Sequence, residues 1–478
     1  MSSSRRITRH PILDFRRGRE VTIFFEEKPI KAFEGESLAA ALYAAGIDVF
    51  RWTPKLGRPR GPFCMVGKCG SCMVEVDGSV VRACITPVRD GMVVKRIRGL
   101  PRVDSGTSRN VSSKDLKEVE ADVLIIGGGP AGMAAAEVLA GNGVNVLLVD
   151  DQIRLGGQLI KQTHIFFGSE EIFAGKRGFK IAEEYEKKLS SMDNLRIMLR
   201  TTAVGWFKEG VLLVNDEGSY VAKAKYYLLS VGAFENYLAF ENNDLPGVMG
   251  AGGAQTLMNL YGVLPGKKVL VVGSGNVGLI ITYQLLQAGA SVVAIVEAAD
   301  RIGGWLVHAA KVRRYGVPIL LRHTVIAAEG KERVEKAAIT ELDESWEPIP
   351  GTEKVVECDS ILLAVGLTPN TELVRQFGVR TRYVPELGGL VPVKDEYFRT
   401  NVPNVFVAGD VVAIEEATTA FMEGWIAAYT MLIDLKGPSK KYVEERSKLV
   451  KLLSDYRSSP ASQKIRKGWK YAEVVKDE

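Results

Sequence analysis

Ala121-Asp122-Val123-Leu124-Ile125-Ile126-Gly127-Gly128-Gly129-Pro130-Ala131-Gly132 is the stretch on which the reading of this chain turns. The apolar run 123–126 predicts a strand, the glycines a tight turn, the alanine-rich segment after them a helix, and 144–149 a second apolar strand ending at Asp150. Gly127 turns the chain out of the strand, Gly129 lets a pyrophosphate approach the backbone, and Gly132 lets the helix pack on the sheet. Pro130 and Ala131 open a helix whose first-turn N–H groups lack partners within it and face the phosphates. Asp150 is expected to accept from a ribose 2′-OH. Small-residue helices also pack without a ligand, but strand, turn, helix, strand and acid in this order favour a dinucleotide site.

The pattern occurs again 146 residues later: an apolar strand at 268–272, then Gly273-Ser274-Gly275-Asn276-Val277-Gly278, a helix to Ala288, and a strand from Ser291 ending in Glu297. An acid at that point favours NAD(H) over NADP(H), because a 2′-phosphate would be repelled. The second pocket could hold another adenine nucleotide or be vestigial. Two copies predict two Rossmann-like domains, one inserted in the other, with crossing points near 230–233 and 361–370. A further strand, 402–408, ends in Gly409-Asp410. Asp410 could accept from the ribityl hydroxyls of a flavin, and the helix after Glu416, with Ala417, Thr418 and Thr419, could present N–H groups to its ring.

Ahead of these lies a smaller module. After a basic arm, 21–25 and 29–33 predict a hairpin, and Ser37 caps a helix that Gly46 stops, the opening of a β-grasp unit. Cys64, Cys69, Cys72 and Cys84 follow with spacing C-x4-C-x2-C-x11-C. The first three match the plant-type [2Fe–2S] spacing; structural zinc more often uses two short knuckles and is the alternative, with an inert or disulfide arrangement behind it. Residues 73–76 and 79–83 predict a hairpin returning Cys84. Cys358, alone in an apolar strand context, reads as a buried small hydrophobe.

The expected organisation is a basic arm (1–20), the β-grasp module (21–100), a polar linker (101–119), a first flavin-domain part (120–244), an inserted NAD-binding-like domain (245–354), a second flavin-domain part (355–430) and a helical tail (431–478). The fold class is α/β: an N-terminal β-grasp [2Fe–2S] ferredoxin-like module followed by a two-dinucleotide-domain FAD/NAD(P)-binding flavoprotein fold. Residues 1–110 carry 20 Lys and Arg against 11 Asp and Glu, so the front is basic although the whole chain is only +5. That charge suits an acidic partner, or it balances the negative charge of a cluster and its thiolates; no nucleic-acid motif accompanies it. No apolar run is long enough to span a membrane. The first residues lack a signal-peptide pattern, so cytoplasm is expected, with any membrane association peripheral and through partners.

The body resembles the flavoprotein family of thioredoxin and disulfide reductases: 127–132 and 401–410 match its FAD motifs, and 273–278 its NAD(P)H motif. Unlike the disulfide-reducing members, the chain has no paired cysteines in either nucleotide domain. With the β-grasp module in front, it resembles the alpha subunits of multi-subunit amine and amino acid dehydrogenases: heterotetrameric sarcosine oxidase, opine oxidase, hydrogen cyanide synthase and the dye-linked L-proline dehydrogenases. The likeness runs through 21–45, Lys55 and Arg58-Pro59-Arg60-Gly61-Pro62, Gly156-Gly157-Gln158, and Met258-Asn259, Tyr261-Gly262 and Pro265-Gly266-Lys267.

It implies FAD, a [2Fe–2S] cluster, NAD(H) or another adenine nucleotide, and FMN where alpha meets beta. The implied partners are an FAD-containing beta subunit that oxidises the amine, small iron–sulfur subunits, and a ferredoxin, quinone or dye acceptor. A stand-alone NADH:acceptor oxidoreductase and a nucleotide-stabilised scaffold are the rivals. No catalytic residue is assigned. His10, His164, His308 and His323 are scattered, and His164, Lys161 and Gln162 stand out only for following Gly157 closely. The expected task is a relay between nicotinamide, flavin and cluster, in which the protein supplies placement.

Overall fold

A computed structural model of the chain describes residues 5–99, 116–166 and 170–472. Residues 1–4 of the expected arm and 101–115 of the expected linker lie outside them. The chain divides into two compact units, one of residues 1–104 and 235–366 and the other of residues 105–234 and 367–478.

The first unit begins as expected. Glu20–Phe25 and Lys28–Phe33 pair antiparallel about a turn in which Glu26 and Glu27 have φ of 48° and 67°. Ser37 caps the helix Leu38–Ala44, accepting from the Ala40 N–H at 3.3 Å, and every residue of that short helix is buried. Gly46, at φ 85°, ends it. The five-stranded sheet runs in the order Lys28–Phe33, Glu20–Phe25, Val93–Lys95, Met73–Val76, Ser79–Arg82, with Asp77-Gly78 turning the last hairpin at positive φ.

This unit also contains Glu235–Gly366. There a parallel sheet runs Val248–Gly250, Ser360–Leu363, Lys268–Val272, Ser291–Glu297, Ile319–Leu321, followed by an antiparallel hairpin layer from His323–Glu329 to Lys354–Glu357. Residues 235–244 and 355–366, expected in the flavin domain, therefore belong with the insert. The reason is visible in Ser360–Leu363, which is wholly buried between two strands of the insert's sheet. Cys358 is buried as expected, but it sits between two strands rather than within one.

The β-grasp module and the insert share one hydrophobic core, in which Leu38, Leu42 and Tyr43 pack with Met249, Leu257 and Val263. Polar contacts reinforce it. The Tyr43 hydroxyl donates to the Pro265 carbonyl at 2.6 Å, Arg58 and Arg60 both pair with Asp244, and Asp48 accepts from Arg5 and Arg333. Arg6 of the expected arm pairs with Glu36. Arg5, Arg6, Arg58 and Arg60 of the basic front are thus paired internally. The segments Arg58–Arg60 and Pro265, known from sequence only as shared features, are where module and insert meet.

The second unit is a seven-stranded sheet, with Leu195–Met198, Val146–Val149, Lys117–Ile126 and Gly218–Leu229 parallel in that order. Gly218–Leu229 serves two neighbours along its free edge: its first half pairs antiparallel with Gly210–Asn215, and its end pairs parallel with Val405–Val407. The helices Pro130–Gly141 and Ala417–Lys436 pack together so closely that a Cβ at Gly424 would lie 2.1 Å from the Ala131 carbonyl oxygen. The expected tail helix is two helices, Lys440–Arg457 and Gln463–Ala472. Both lie on this unit, burying Leu453 in one core and Trp469 and Ala472 in another. Val443 in the first of them is exposed. No helix among the described residues is long and apolar enough to cross a membrane.

Candidate functional site: a cysteine cluster and two dinucleotide turns

The four module cysteines come together. Cys64 is hydrogen-bonded to Cys69 and to Cys84, and Cys84 to Cys72, so all four sulfurs form one connected group. Bonds from Cys69 and Cys84 depress the Cys64 thiol well below its ordinary range, and the same contact with Cys64 raises Cys69. Among the described residues no three such side chains surround a single point suited to one metal ion. The loop has φ of 54°, 77° and 64° at Met65, Gly67 and Gly70, and the Ser71 N–H donates to the Cys69 sulfur at 3.5 Å. Arg51 holds the Ser71 carbonyl and feels the charges of Cys72 and Cys69, and Arg82 holds the Gly67 carbonyl within the cysteine loop. Three thiols on a loop with left-handed backbone positions and a fourth returned by the hairpin after it, all buried or half-buried, fit an anionic iron–sulfur core. Cys64, Cys69, Cys72 and Cys84 would hold it, and it would supply one-electron chemistry.

In the first dinucleotide turn, each glycine has its own spatial reason. Gly127 has φ 107°, and a Cβ there would lie 2.2 Å from the Ser230 carbonyl oxygen. A Cβ at Gly132 would lie 1.9 Å from the Gly127 carbonyl oxygen, whereas at Gly129 it would meet nothing within 4 Å. Gly129 caps the helix Pro130–Gly141, and no side chain caps it. That open cradle at an uncapped N-terminus fits a pyrophosphate. Asp150, at the strand tip, accepts from the Gly128 N–H at 2.6 Å and the Gln152 N–H at 2.8 Å, which fixes its carboxylate beside the turn. Gly157, at φ 51°, folds over the cradle, where a Cβ would lie 2.9 Å from Gly129 Cα. Gln158 beside it is exposed.

The carboxyl end of the flavin-type fold is more charged than the sequence suggests. Gly409, at φ 83°, donates its N–H to Glu423 at 2.7 Å and so sets the Gly409-Asp410 turn. Burial, then the charges of Glu423 and Glu415, push the Asp410 carboxyl up to about 7. Burial also raises Glu423. Arg457, from the tail, pairs with both glutamates, at 2.8 Å to Glu415 and 2.5 Å to Glu423. The cations of Arg457 and Lys394 lie 4.7 and 4.2 Å from the centroid of the Trp469 ring. Thr418 is buried in the first turn of Ala417–Lys436, whose cap, Glu416, makes no side-chain capping bond.

The second turn reproduces the first. A Cβ at Gly273 would lie 2.4 Å from the Ala364 carbonyl oxygen and at Gly278 2.0 Å from the Gly273 carbonyl oxygen, while Gly275 again faces open space. Glu297 accepts from the Ser274 N–H and hydroxyl, both at 2.7 Å. Asn276 accepts from the Trp305 N–H at 2.8 Å, so its side chain pins the loop 303–305. Val277 is exposed beside it. Gly304 closes on the turn as Gly157 does: a Cβ there would lie 2.9 Å from the Asn276 nitrogen. Sequence reasoning passed over Gly303 and Gly304, although the signal was present, since Arg154-Leu155-Gly156-Gly157 and Arg301-Ile302-Gly303-Gly304 follow Asp150 and Glu297 at the same distance. Gly275→Ala is expected to weaken adenine nucleotide binding at the second turn, with NADH as the probe, by about 30- to 100-fold, about 2–3 kcal/mol, without lowering the melting temperature. Titration of the variant by calorimetry beside a thermal melt checks both halves.

The arrangement of two such turns is matched by the family model of pyridine nucleotide-disulphide oxidoreductases over residues 121–424. The chain belongs to that family. Residues 18–99 match the 2Fe-2S iron-sulfur cluster binding domain, so this oxidoreductase carries an iron–sulfur module beside its FAD- and nucleotide-binding body. It is 26% identical to the alpha subunit of sarcosine oxidase from Corynebacterium sp. (strain P-1) over 434 residues, 85% of this chain and 43% of that one. It is 25% identical to the corresponding sarcosine oxidase chain of Corynebacterium sp. (strain U-96) over 432 residues, again 85% of this chain and 43% of that one. The structure resembles L-proline dehydrogenase from P. horikoshii with a TM-score of 0.68 and 28% identity, covering 92% of this chain and 79% of that one. The chain thus spans less than half the length of the sarcosine oxidase chains it matches.

This oxidoreductase has all five of its cysteines outside the flavin-type unit, so no redox disulfide is available there. Its histidines are engaged structurally. His10 Nδ1 accepts from the Ile12 and Leu13 N–H groups, His323 Nδ1 bonds the Leu321 carbonyl, and His308 is buried in a helix. His164 stacks on Phe166 at 5.8 Å, and Lys161 is buried in the turn that begins at Gly157.

Proposed function

We propose that the chain is the electron-transferring alpha subunit of an amino acid dehydrogenase assembly, and specifically of a dye-linked L-proline dehydrogenase. Amine oxidation then belongs to an FAD-containing beta partner. The observation that carries this is the distribution of sulfur: four cysteines gather in the β-grasp module, and the flavin-type unit has none. Electrons reaching a flavin here have no disulfide to reduce, and the module supplies a one-electron outlet. The likeness to a solved L-proline dehydrogenase favours proline over sarcosine or opine chemistry, and curated relatives that are themselves named as subunits support a multi-subunit assembly.

In this reading Gly127, Gly129, Pro130, Ala131, Gly132, Asp150, Gly157, Gln158, Gly409, Asp410 and Thr418 hold FAD. Gly273, Gly275, Asn276, Val277, Gly278 and Glu297 hold NAD(H) or another adenine nucleotide. The bound cofactors supply the redox chemistry; the chain's residues place them and shield them from water. FMN at the contact with the beta partner, small iron–sulfur subunits, a ferredoxin, quinone or dye as acceptor, and a cytoplasmic setting complete the proposal.

Purification of the native complex is expected to bring down a flavin-containing partner, with proline-dependent dye reduction that the isolated chain lacks. Proline turnover by this chain alone would contradict it. The completeness of the second turn, with Glu297 fixed on Ser274, favours a second activity, NADH-dependent dye reduction by the isolated chain.

A further inference from the structure

The cysteine loop is covered from outside its own module. Phe63, the residue before Cys64, stacks on Tyr237 of the insert, with ring centroids 4.4 Å apart and planes at 12°. The Tyr237 hydroxyl is hydrogen-bonded to the Cys69 side chain. The Phe63 carbonyl lies against Gly253, where a Cβ would come within 2.1 Å of its oxygen, and Arg58 binds Asn242 and Asp244. The loop 58–69 is therefore clamped to the segment that contains Tyr237. Buried thiols flank an accessible ring: Cys64 and Cys72 are 7% and 2% exposed, whereas Tyr237 is 56% exposed.

We propose that Tyr237 is a positioning residue for the iron–sulfur centre, its hydroxyl donating to the Cys69 sulfur and setting the reduction potential of a cluster held by the front module. The inference rests on the cluster reading of residues 64–84 and goes beyond it by giving the insert a part in tuning that cluster. A hydrogen bond to a ligating sulfur favours the more negative, reduced state, and bonds to the sulfurs are among the determinants of cluster potential. Cys69 accepts backbone N–H bonds from Ser71 and Cys64 and, from the insert, a bond from the Tyr237 hydroxyl. Of these donors only the hydroxyl comes from a side chain, and so can be removed without touching the loop's backbone. The stack on Phe63 holds the ring when the hydroxyl is lost, so Tyr237→Phe isolates the hydrogen bond.

The test is a reductive titration of the anaerobically purified full-length chain, followed by electron paramagnetic resonance, on wild type and Y237F with iron and acid-labile sulfide measured on both. Y237F is expected to keep its iron and sulfide and to favour the oxidised cluster by about three- to tenfold, about 30–60 mV lower in midpoint for one electron. Pulsed measurements in D2O are expected to lose one exchangeable deuteron coupling in the variant. An unchanged midpoint with full cluster content overturns the proposal. If Y237F fails to retain cluster, the D2O measurement on wild type decides, and couplings at Cys69 from the backbone N–H groups of Ser71 and Cys64 alone overturn it. Wild type without a reducible cluster would instead overturn the cluster reading, and this inference with it.

Discussion

Gly132→Ala is expected to lose flavin and fold together, whereas Gly129→Ala loses flavin alone. The two glycines sit three residues apart in one turn, yet a Cβ at Gly132 would lie 1.9 Å from the Gly127 carbonyl oxygen and 2.8 Å from the Ser230 hydroxyl oxygen. Most of what it meets is backbone, so the helix Pro130–Gly141 must move off the sheet. Overpacking of this kind costs about 3 kcal/mol or more, roughly 6–12 °C in melting temperature for a unit of this size. At Gly129 the Cβ has open space in the protein and would intrude only on a bound pyrophosphate. The melting temperature of its apoprotein should match wild type, while FAD affinity falls by about 30- to 100-fold, about 2–3 kcal/mol. Flavin absorbance per chain and thermal melts of the apoproteins separate the two. Equal melts for the two variants would contradict the packing argument.

Arg457→Met is expected to cost about 3–5 kcal/mol, the usual effect of removing one partner from a buried charge group. Arg457, Glu415 and Glu423 have side chains only 11%, 8% and 3% exposed, so neither glutamate can turn to water for compensation. Because Glu423 also accepts from the Gly409 N–H, the variant should loosen the Asp410 turn and bind FAD less tightly. Adding Glu423→Gln should restore part of the stability by removing the stranded charge.

The pH dependence follows from the direction of the shifts. Asp410, raised to about 7, and Glu423, also raised, bind protons more readily folded than unfolded. Their stabilisation of the fold is therefore complete below the unfolded carboxyl range near pH 4 and is lost as pH rises towards 7. The R457M deficit should accordingly be largest above pH 7 and shrink towards pH 5. Denaturant midpoints at several pH values, on apoprotein, measure it.

Much of this was legible locally. The Ser37 cap, the Asp77-Gly78 hairpin, both glycine turns and the four cysteines each announce themselves within a few residues, because capping, positive φ and ligand spacing are short-range properties. What escaped depends on distant partners. Arg58 and Asp244 are 186 residues apart, and nothing in the period of either segment shows that the β-grasp module shares its core with the insert rather than standing ahead of the flavin domain. The tail was readable as helical, but not as the source of the cation that pairs with Glu415 and Glu423. Gly303 and Gly304 were a different omission: the repeated Arg-x-Gly-Gly was visible and needed only the two fingerprints to be aligned beyond their acids.

The most direct test is an assay of iron, acid-labile sulfide, zinc and flavin on one anaerobically purified sample of the full chain, with electron paramagnetic resonance after reduction. The account predicts about two irons and about two sulfides per chain, together with bound FAD and a reducible [2Fe–2S] signal. Zinc in place of iron, or a chain that takes up no flavin, would contradict it.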